Sequence, residues 1–208
     1  MMNRWLIYTR PDWPFNWFFN QYYENGTNPR YFTFQIVFNL LSQRKENPVI
    51  IETGSQWLEK GDGSSTTIFC EYISRYGGKL ISIDINPNTI KTVKEWTAGY
   101  QADKEFIASD SVAYLEKYQG PVDLIYLDSF HYSMDDGPNL QERRLESQEH
   151  NLKEFKAIEK QLSPSTIILL DDNFLPGGGK PTLTKDYLEQ KGYICLLDFH
   201  QSIWIKEI

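Results

Sequence analysis

Four runs of apolar residues lie along the chain, and each ends on a carboxylate. Val49-Ile50-Ile51 ends on Glu52, Leu80-Ile81-Ser82-Ile83 on Asp84, Leu124-Ile125-Tyr126-Leu127 on Asp128, and Ile167-Ile168-Leu169-Leu170 on the pair Asp171 and Asp172. A short β-rich run with no polar alternation predicts a strand buried on both faces, as in a parallel sheet covered by helices. Ligands of such sheets sit beyond the carboxyl ends of the strands, so the pattern sets acids along the rim where a ligand would lie.

Between the runs the spacing turns helical. Phe34, Val37, Phe38 and Leu41 predict a helix over 34–44 that leads through Asn47-Pro48 into a strand over 48–53. There follow a helix from near Ser64, a strand over 79–84, a helix over 87–97, a strand over 104–108 and a short helix from Ser111. A strand over 122–128, a long polar helix within 139–162 and a strand over 165–171 continue the series. Alternation of this kind implies right-handed crossovers and a doubly wound sheet. After a helix over 183–190, the stretches 193–199 and 202–206 are separated only by His200 and Gln201, which demands an antiparallel hairpin at the sheet edge. The expected fold class is α/β: a doubly wound, mostly parallel seven-stranded sheet with a C-terminal antiparallel hairpin.

Residues 1–32 depart from this pattern. They hold a dense aromatic cluster (Trp5, Trp13, Phe15, Trp17, Phe18, Phe19, Tyr22 and Tyr23) broken by prolines and by the turn Asn25-Gly26. The segment reads as an N-terminal extension to a domain spanning 33–208, packed across that domain or against a second copy of the chain in a homo-oligomer. A substrate-covering lid is the other placement its aromatic surface would suit.

Composition narrows the function classes. A chain of 208 residues suits one domain, and 40% hydrophobic with 15% aromatic residues supplies a core that needs no disulfides. Lys plus Arg number 21 against 28 Asp plus Glu, a formal charge of -7, so the electrostatic footprint of a phosphate-backbone binder is missing and nucleic acid is not an expected partner. Cys70 and Cys195 sit in apolar stretches at no metal-ligand spacing, and are expected as buried free thiols in a reducing, cytoplasmic setting. Arg10, Pro11, Asp12 and Pro14 interrupt the apolar N-terminus, so neither a signal peptide nor a membrane span is expected.

The chemistry-bearing motifs follow the strands. The first runs into Glu52-Thr53-Gly54-Ser55, and Gly61-Asp62-Gly63-Ser64-Ser65-Thr66 then opens a helix that Ser64 or Ser65 can cap. The G-x-G-x-x-G spacing of dinucleotide binders is absent there. Asp84 ends the second strand, where an acid can clasp both hydroxyls of a ribose. Ser109-Asp110-Ser111 ends the third, where a side chain can reach an adenine amino group. A ribose acid and an adenine acid without a pyrophosphate loop point to a nucleoside cofactor lacking phosphates.

With these residues in place the chain resembles the class I S-adenosylmethionine-dependent methyltransferases over about 48–206, and a Rossmann-like methyltransferase fold is implied. The resemblance implies that Glu52 and Gly54 face the methionine end of the cofactor, Asp84 the ribose and Asp110 the adenine, with Ser55, Gly63, Ser64 and Ser109 also binding it; which glycine of the 54–63 loop faces the methionine stays open. A sharper resemblance is to the metal-dependent O-methyltransferases, of which catechol O-methyltransferase is one. Tyr126-Leu127-Asp128-Ser129-Phe130-His131-Tyr132 and Leu170-Asp171-Asp172-Asn173 stand where that group carries its metal motifs. This implies that Asp128, which also borders the cofactor, joins Asp172 and Asn173 in holding a divalent cation, magnesium by the hardness of the oxygen ligands. The related sugar and macrolide O-methyltransferases carry an Asp-Asp pair at the fifth strand and would recruit Asp171 instead.

His131 stands three residues past Asp128, where it could act as general base on an attacking hydroxyl. His150 is expected to be structural and His200, in the hairpin turn, solvent-exposed. Pro176-Gly177-Gly178-Gly179-Lys180 is expected as a flexible loop bordering the substrate, with Lys180 able to pair with a substrate carboxylate or phosphate. The expected function is methyl transfer from S-adenosylmethionine to an oxygen of a small molecule, assisted by a divalent metal. The rivals are a metal-independent methyltransferase with His131 as base and a non-catalytic module that binds a nucleoside or a partner.

Overall fold

The computed structural model describes residues 14–23, 26–44, 46–59 and 63–206. Trp5, Trp13, Asn25, Gly61 and Asp62, which entered the reading above, lie outside the described residues, as does the side chain of Trp17. In chain order the elements are α1 (Pro14–Tyr22), α2 (Tyr31–Arg44), β1 (Val49–Thr53), α3 (Ser65–Tyr76), β2 (Lys79–Asp84), α4 (Pro87–Trp96) and β3 (Asp103–Ala108). The second half adds α5 (Ser111–Leu115), β4 (Leu124–Leu127), α6 (Leu140–Ile158), β5 (Ile167–Leu170), α7 (Thr182–Gln190), β6 (Ile194–Asp198) and β7 (Ser202–Ile205).

The strands form one seven-stranded sheet in the order β3-β2-β1-β4-β5-β7-β6. The pairings from β3 through β5 are parallel, and β7 runs antiparallel to both β5 and β6. The Rossmann-like methyltransferase architecture expected from the motifs is the one present. Successive side chains of a strand point to opposite faces, which explains why the runs show no polar alternation. Ile50, Leu124, Tyr126, Ile167 and Leu169 enter one core with Phe34, Phe38, Phe69 and Tyr72 of α2 and α3. Ile51, Ile125, Leu127, Ile168 and Leu170 enter the other with Phe155 and Ile158 of α6 and Leu188 of α7.

The aromatic extension packs across its own domain. Phe15, Phe19 and Tyr23 are buried, and the Phe15 ring meets Phe38 edge-on at 4.9 Å and Tyr72 at 5.4 Å. Helix α2 begins at Tyr31 rather than Phe34, because Tyr31 stacks on Phe19 at 5.2 Å and the turn before it is closed by the Thr33 hydroxyl on the Arg30 carbonyl at 2.9 Å. Cys70 is buried as expected, whereas Cys195 is exposed because β6 is the outer strand of the sheet. Among the described residues no helix is long and apolar enough to cross a membrane.

From β1 the chain moves outward to β2 and β3, then returns to the other side of β1 as β4. The neighbouring loops after β1 and β4 therefore leave the sheet on a line where the strand order reverses, and a crevice opens there.

Candidate active site

A cleft of about 350 Å³ lies at that reversal. Gly54, Ser55, Asp84, Asp110, Asp128, His131 and Asp172, all anticipated from the motifs, line it. Gly54 has φ +79°, and a Cβ on it would stand 2.5 Å from the Asp128 carbonyl oxygen, so only glycine lets the β1 and β4 loops close together. Asp84 is oriented by backbone donors: the Ser55 N–H donates to its Oδ2 at 3.1 Å and the Asn86 N–H to its Oδ1 at 2.7 Å. Burial raises the Asp84 pKa, and these two N–H groups work against that rise. Each carboxylate oxygen keeps a second lone pair for a ligand hydroxyl. Asp110 caps α5 by accepting from the Ala113 N–H at 2.8 Å while facing the cleft.

Several residues assigned to the cofactor from sequence stand elsewhere. Glu52 is wholly buried beneath the glycine turn, not in the cleft wall. Its carboxylate accepts from the hydroxyls of Ser65, Thr66 (2.7 Å) and Ser82 (2.5 Å), tying β1, β2 and α3 together. Burial lifts its pKa from 4.5 to about 7, the three hydroxyls holding it lower than burial alone would. Gly63 sits against Arg30 and accepts the Tyr23 hydroxyl on its carbonyl at 2.5 Å. Ser64 is buried in left-handed backbone at φ 44° and makes no capping bond. Gln56 caps α3 instead, its side-chain oxygen accepting the Thr67 N–H at 2.7 Å. The Ser109 hydroxyl donates to the Asp110 carbonyl at 3.1 Å, outside the cleft lining.

The deep end of the site is a charge cluster. Asp128, Asp171 and Asp172 converge there, and two cations stand among them. Arg30 donates through Nε to Asp171 at 2.8 Å and through a terminal nitrogen to Asp172 at 3.0 Å. Lys180, 2% exposed, places Nζ 2.8 Å from Asp128 Oδ1 and 2.7 Å from Asp172 Oδ2. Burial alone would raise the Asp171 pKa, but Arg30 and the Tyr126 hydroxyl more than offset it and hold it at about 2. Burial works against the charge on Lys180, and Asp128 and Asp172 overcome it, keeping the ammonium protonated. Gln201 completes the cluster, donating to Asp171 at 2.9 Å.

Asn173 stands next to Asp172 with its Oδ1 buried and without a hydrogen-bond partner. Its amide donates to Asp198 at 2.9 Å and to the Phe199 carbonyl at 2.7 Å, fastening the β6–β7 turn to the end of β5. His200 is drawn in where exposure was expected: it is partly buried beside Phe174, with Nε2 3.8 Å from both Asp171 and Asp172. His150 also faces the cleft, with Nε2 3.2 Å from the Ser111 hydroxyl and 3.4 Å from Glu154. Burial lowers its pKa, and Glu154 more than reverses that, so the net shift is upward.

As arranged, these side chains do not fit a divalent ion. An octahedral cation needs oxygen ligands at about 2.0–2.1 Å. Asp128 Oδ1 and Asp172 Oδ2 hold Lys180, Asp172 Oδ1 holds Arg30, and Asp128 Oδ2 lies 3.0 Å from the Tyr126 hydroxyl, whose proton is given to Asp171. Asp171, Asp172 and His200 also converge within 4.8 Å of one another, but Arg30 binds both aspartates. Sequence reasoning missed Arg30 altogether, since nothing local marks an arginine before a helix as an acid's partner. Lys180 was singled out, but toward a substrate anion rather than toward Asp128 and Asp172.

Comparison with known proteins agrees with this architecture. No curated protein matches the chain. Among solved structures the apo form of CalS11, described as a TDP-rhamnose 3'-O-methyltransferase of calicheamicin biosynthesis, is similar at TM-score 0.57 and 14% identity, over 84% of this chain and 77% of that one. The T. thermophilus 16S rRNA methyltransferase RsmC, solved with AdoMet and guanosine, is similar at TM-score 0.54 and 12% identity, over 84% and 42%. A Streptococcus mutans protein solved with SAH is similar at TM-score 0.56 and 11% identity, over 83% and 96%. At such identities these likenesses speak to the fold. The family model described as "Methyltransferase domain" matches residues 58–173, more than half of the chain. It runs from the loop before α3 through the metal-like motif at the end of β5, and the chain belongs to that methyltransferase-domain family.

Proposed function

We propose that this protein transfers the methyl group of S-adenosylmethionine to an oxygen of a small acceptor molecule. The observation that carries the reading is the cleft at the strand reversal, where Gly54, Asp84 and Asp110 follow β1, β2 and β3 and face one space. Asp84, held by two backbone N–H groups, is set to accept both hydroxyls of a ribose. Asp110 lies at the adenine end, and Gly54 and Ser65 at the methionine end. Trp57 and Ile85 line the same cleft while 64% and 74% exposed, apolar surface that a bound base would cover.

Bound there, S-adenosylmethionine supplies a sulfonium methyl: the acceptor oxygen forms the new O–C bond, the C–S electron pair stays on sulfur, and the acceptor's proton leaves to a protein base. His131, exposed on the cleft wall, is the residue to which we assign that proton. Asp128 borders the same space. The metal assistance implied by the resemblance is not part of this reading, because Asp128 and Asp172 are spent on Lys180.

Asp84→Ala should weaken S-adenosylmethionine binding by about 2 kcal/mol or more, roughly thirtyfold in Kd, since two ligand hydroxyls lose a charged acceptor. Titration calorimetry on wild type and variant measures this directly. An unchanged Kd would remove the assignment of the cleft.

A further inference from the structure

Given that reading of the cleft as a methyltransferase site, we propose that the Lys180 ammonium is the resident cation of this active site, occupying the place between Asp128 and Asp172 that a divalent ion would take. It is a positioning residue, acting through the two aspartates, and it exchanges no atom with the reactants.

Three observations on separate parts of the chain lead there. The ammonium is saturated: its three N–H donors meet three acceptors, Asp128 Oδ1 at 2.8 Å, Asp172 Oδ2 at 2.7 Å and the Asp128 carbonyl at 3.2 Å. A lysine resting on a surface carboxylate has no reason to satisfy all three, whereas a fixed internal cation must, because an unpaired charge in a buried site is strongly disfavoured.

The loop that carries Lys180 is built to hold it there. Gly179 has φ +81°, and a Cβ on it would overlap the Asp172 carbonyl oxygen, so the loop closes on the acid only because the residue is glycine. Gln148 of α6 donates to the carbonyls of Gly179 at 2.9 Å and Gly177 at 3.3 Å, and the Tyr132 hydroxyl donates to the Pro176 carbonyl at 2.8 Å. The triple-glycine loop is thereby pinned from two other elements. Asp172 itself is held in left-handed backbone at φ 60°, a conformation that a non-glycine residue keeps only where its surroundings enforce it.

Charge completes the argument. Three acids, Asp128, Asp171 and Asp172, face the two cations Arg30 and Lys180, and His200 lies 3.8 Å from two of the three acids. Admitting a divalent ion between Asp128 Oδ1 and Asp172 Oδ2 would displace the Lys180 ammonium from both carboxylates.

The test counts bound Mn²⁺ by electron paramagnetic resonance on the chelator-treated full chain. Wild type should take up no Mn²⁺ that depends on Asp128 at millimolar metal. Lys180→Ala, with the two acids released, should gain one site at least tenfold tighter than any wild-type binding, and Lys180→Ala/Asp128→Asn should lose it again. Lys180→Arg should behave as wild type. Asp128-dependent stoichiometric binding by wild type overturns the proposal, and so does a folded Lys180→Ala that gains no site. If Lys180→Ala does not fold, the wild-type measurement decides: binding overturns the proposal, and its absence supports it. The Asp84→Ala calorimetry tests the cleft assignment separately, because Asp84 is held by the Ser55 and Asn86 backbone and not by Lys180.

Discussion

At the scale of single residues, the same side-chain type does different work according to what surrounds it. Asp84 and Glu52 both end apolar runs, and a sequence gives no ground for separating them. Asp84 meets backbone N–H donors and faces the cleft, whereas Glu52 points beneath the turn into three hydroxyls. That burial makes Glu52 a source of pH-dependent stability. Its folded pKa is raised from 4.5 to about 7, so between these values the folded state binds more protons than the unfolded chain. The stabilisation is complete below about pH 4.5 and is lost as pH rises toward 7, amounting to a few kcal/mol at roughly 1.4 kcal/mol per unit. The difference in unfolding free energy between wild type and Glu52→Gln, measured from pH 5 to 8, should fall across that interval and flatten above it. A difference independent of pH would show that Glu52 is ionised throughout.

At the scale of elements, the runs and their spacing were legible because they are local. The strands at 79–84 and 103–108, the helices of α4 and α7 and the closing hairpin fall within a residue or two of their expected places. Each is set by periodicity and by turn residues that act within a few positions. Helix α1 was not legible as a helix, because its aromatic residues face partners from α2 and α3 rather than forming an isolated stripe. Phe15 is 1% exposed and touches the rings of Phe19, Phe38, Tyr72 and Tyr76. Phe15→Ala should therefore lower stability by about 3–5 kcal/mol, the range for emptying a buried aromatic site. Urea unfolding measures it, and a loss below about 1 kcal/mol would mean that α1 packs loosely on the domain.

At the scale of the whole molecule, the site is assembled from both ends of the chain. Arg30 belongs to the aromatic N-terminal segment by sequence, yet it binds Asp171 and Asp172 at the far end of the fold. Its removal leaves buried carboxylates without a counter-charge, so Arg30→Met should cost about 3–5 kcal/mol or prevent folding. Arg30→Met/Asp171→Asn should recover a large part of that loss, since one orphaned charge goes with its partner. Thermal unfolding of the two variants separates this from loss of packing, which the second substitution would not repair.

The sequence by itself determined the mostly parallel sheet, its closing hairpin, the glycine turn and the acids at the strand ends, because each follows from patterns within a strand and its next turn, whereas the strand order that opens the cleft beside β1 belongs to the tertiary structure. Only the tertiary structure decided which acids face the cleft and which cations they hold. Arg30 and Lys180 reach Asp171 and Asp128 across 141 and 52 residues of chain. Ion pairs at such separations leave no periodic trace, because they depend on where the folded backbone brings two distant side chains and not on what stands beside either of them. The acids that ended the apolar runs looked like the ligands of a metal; the fold brought a lysine between two of them.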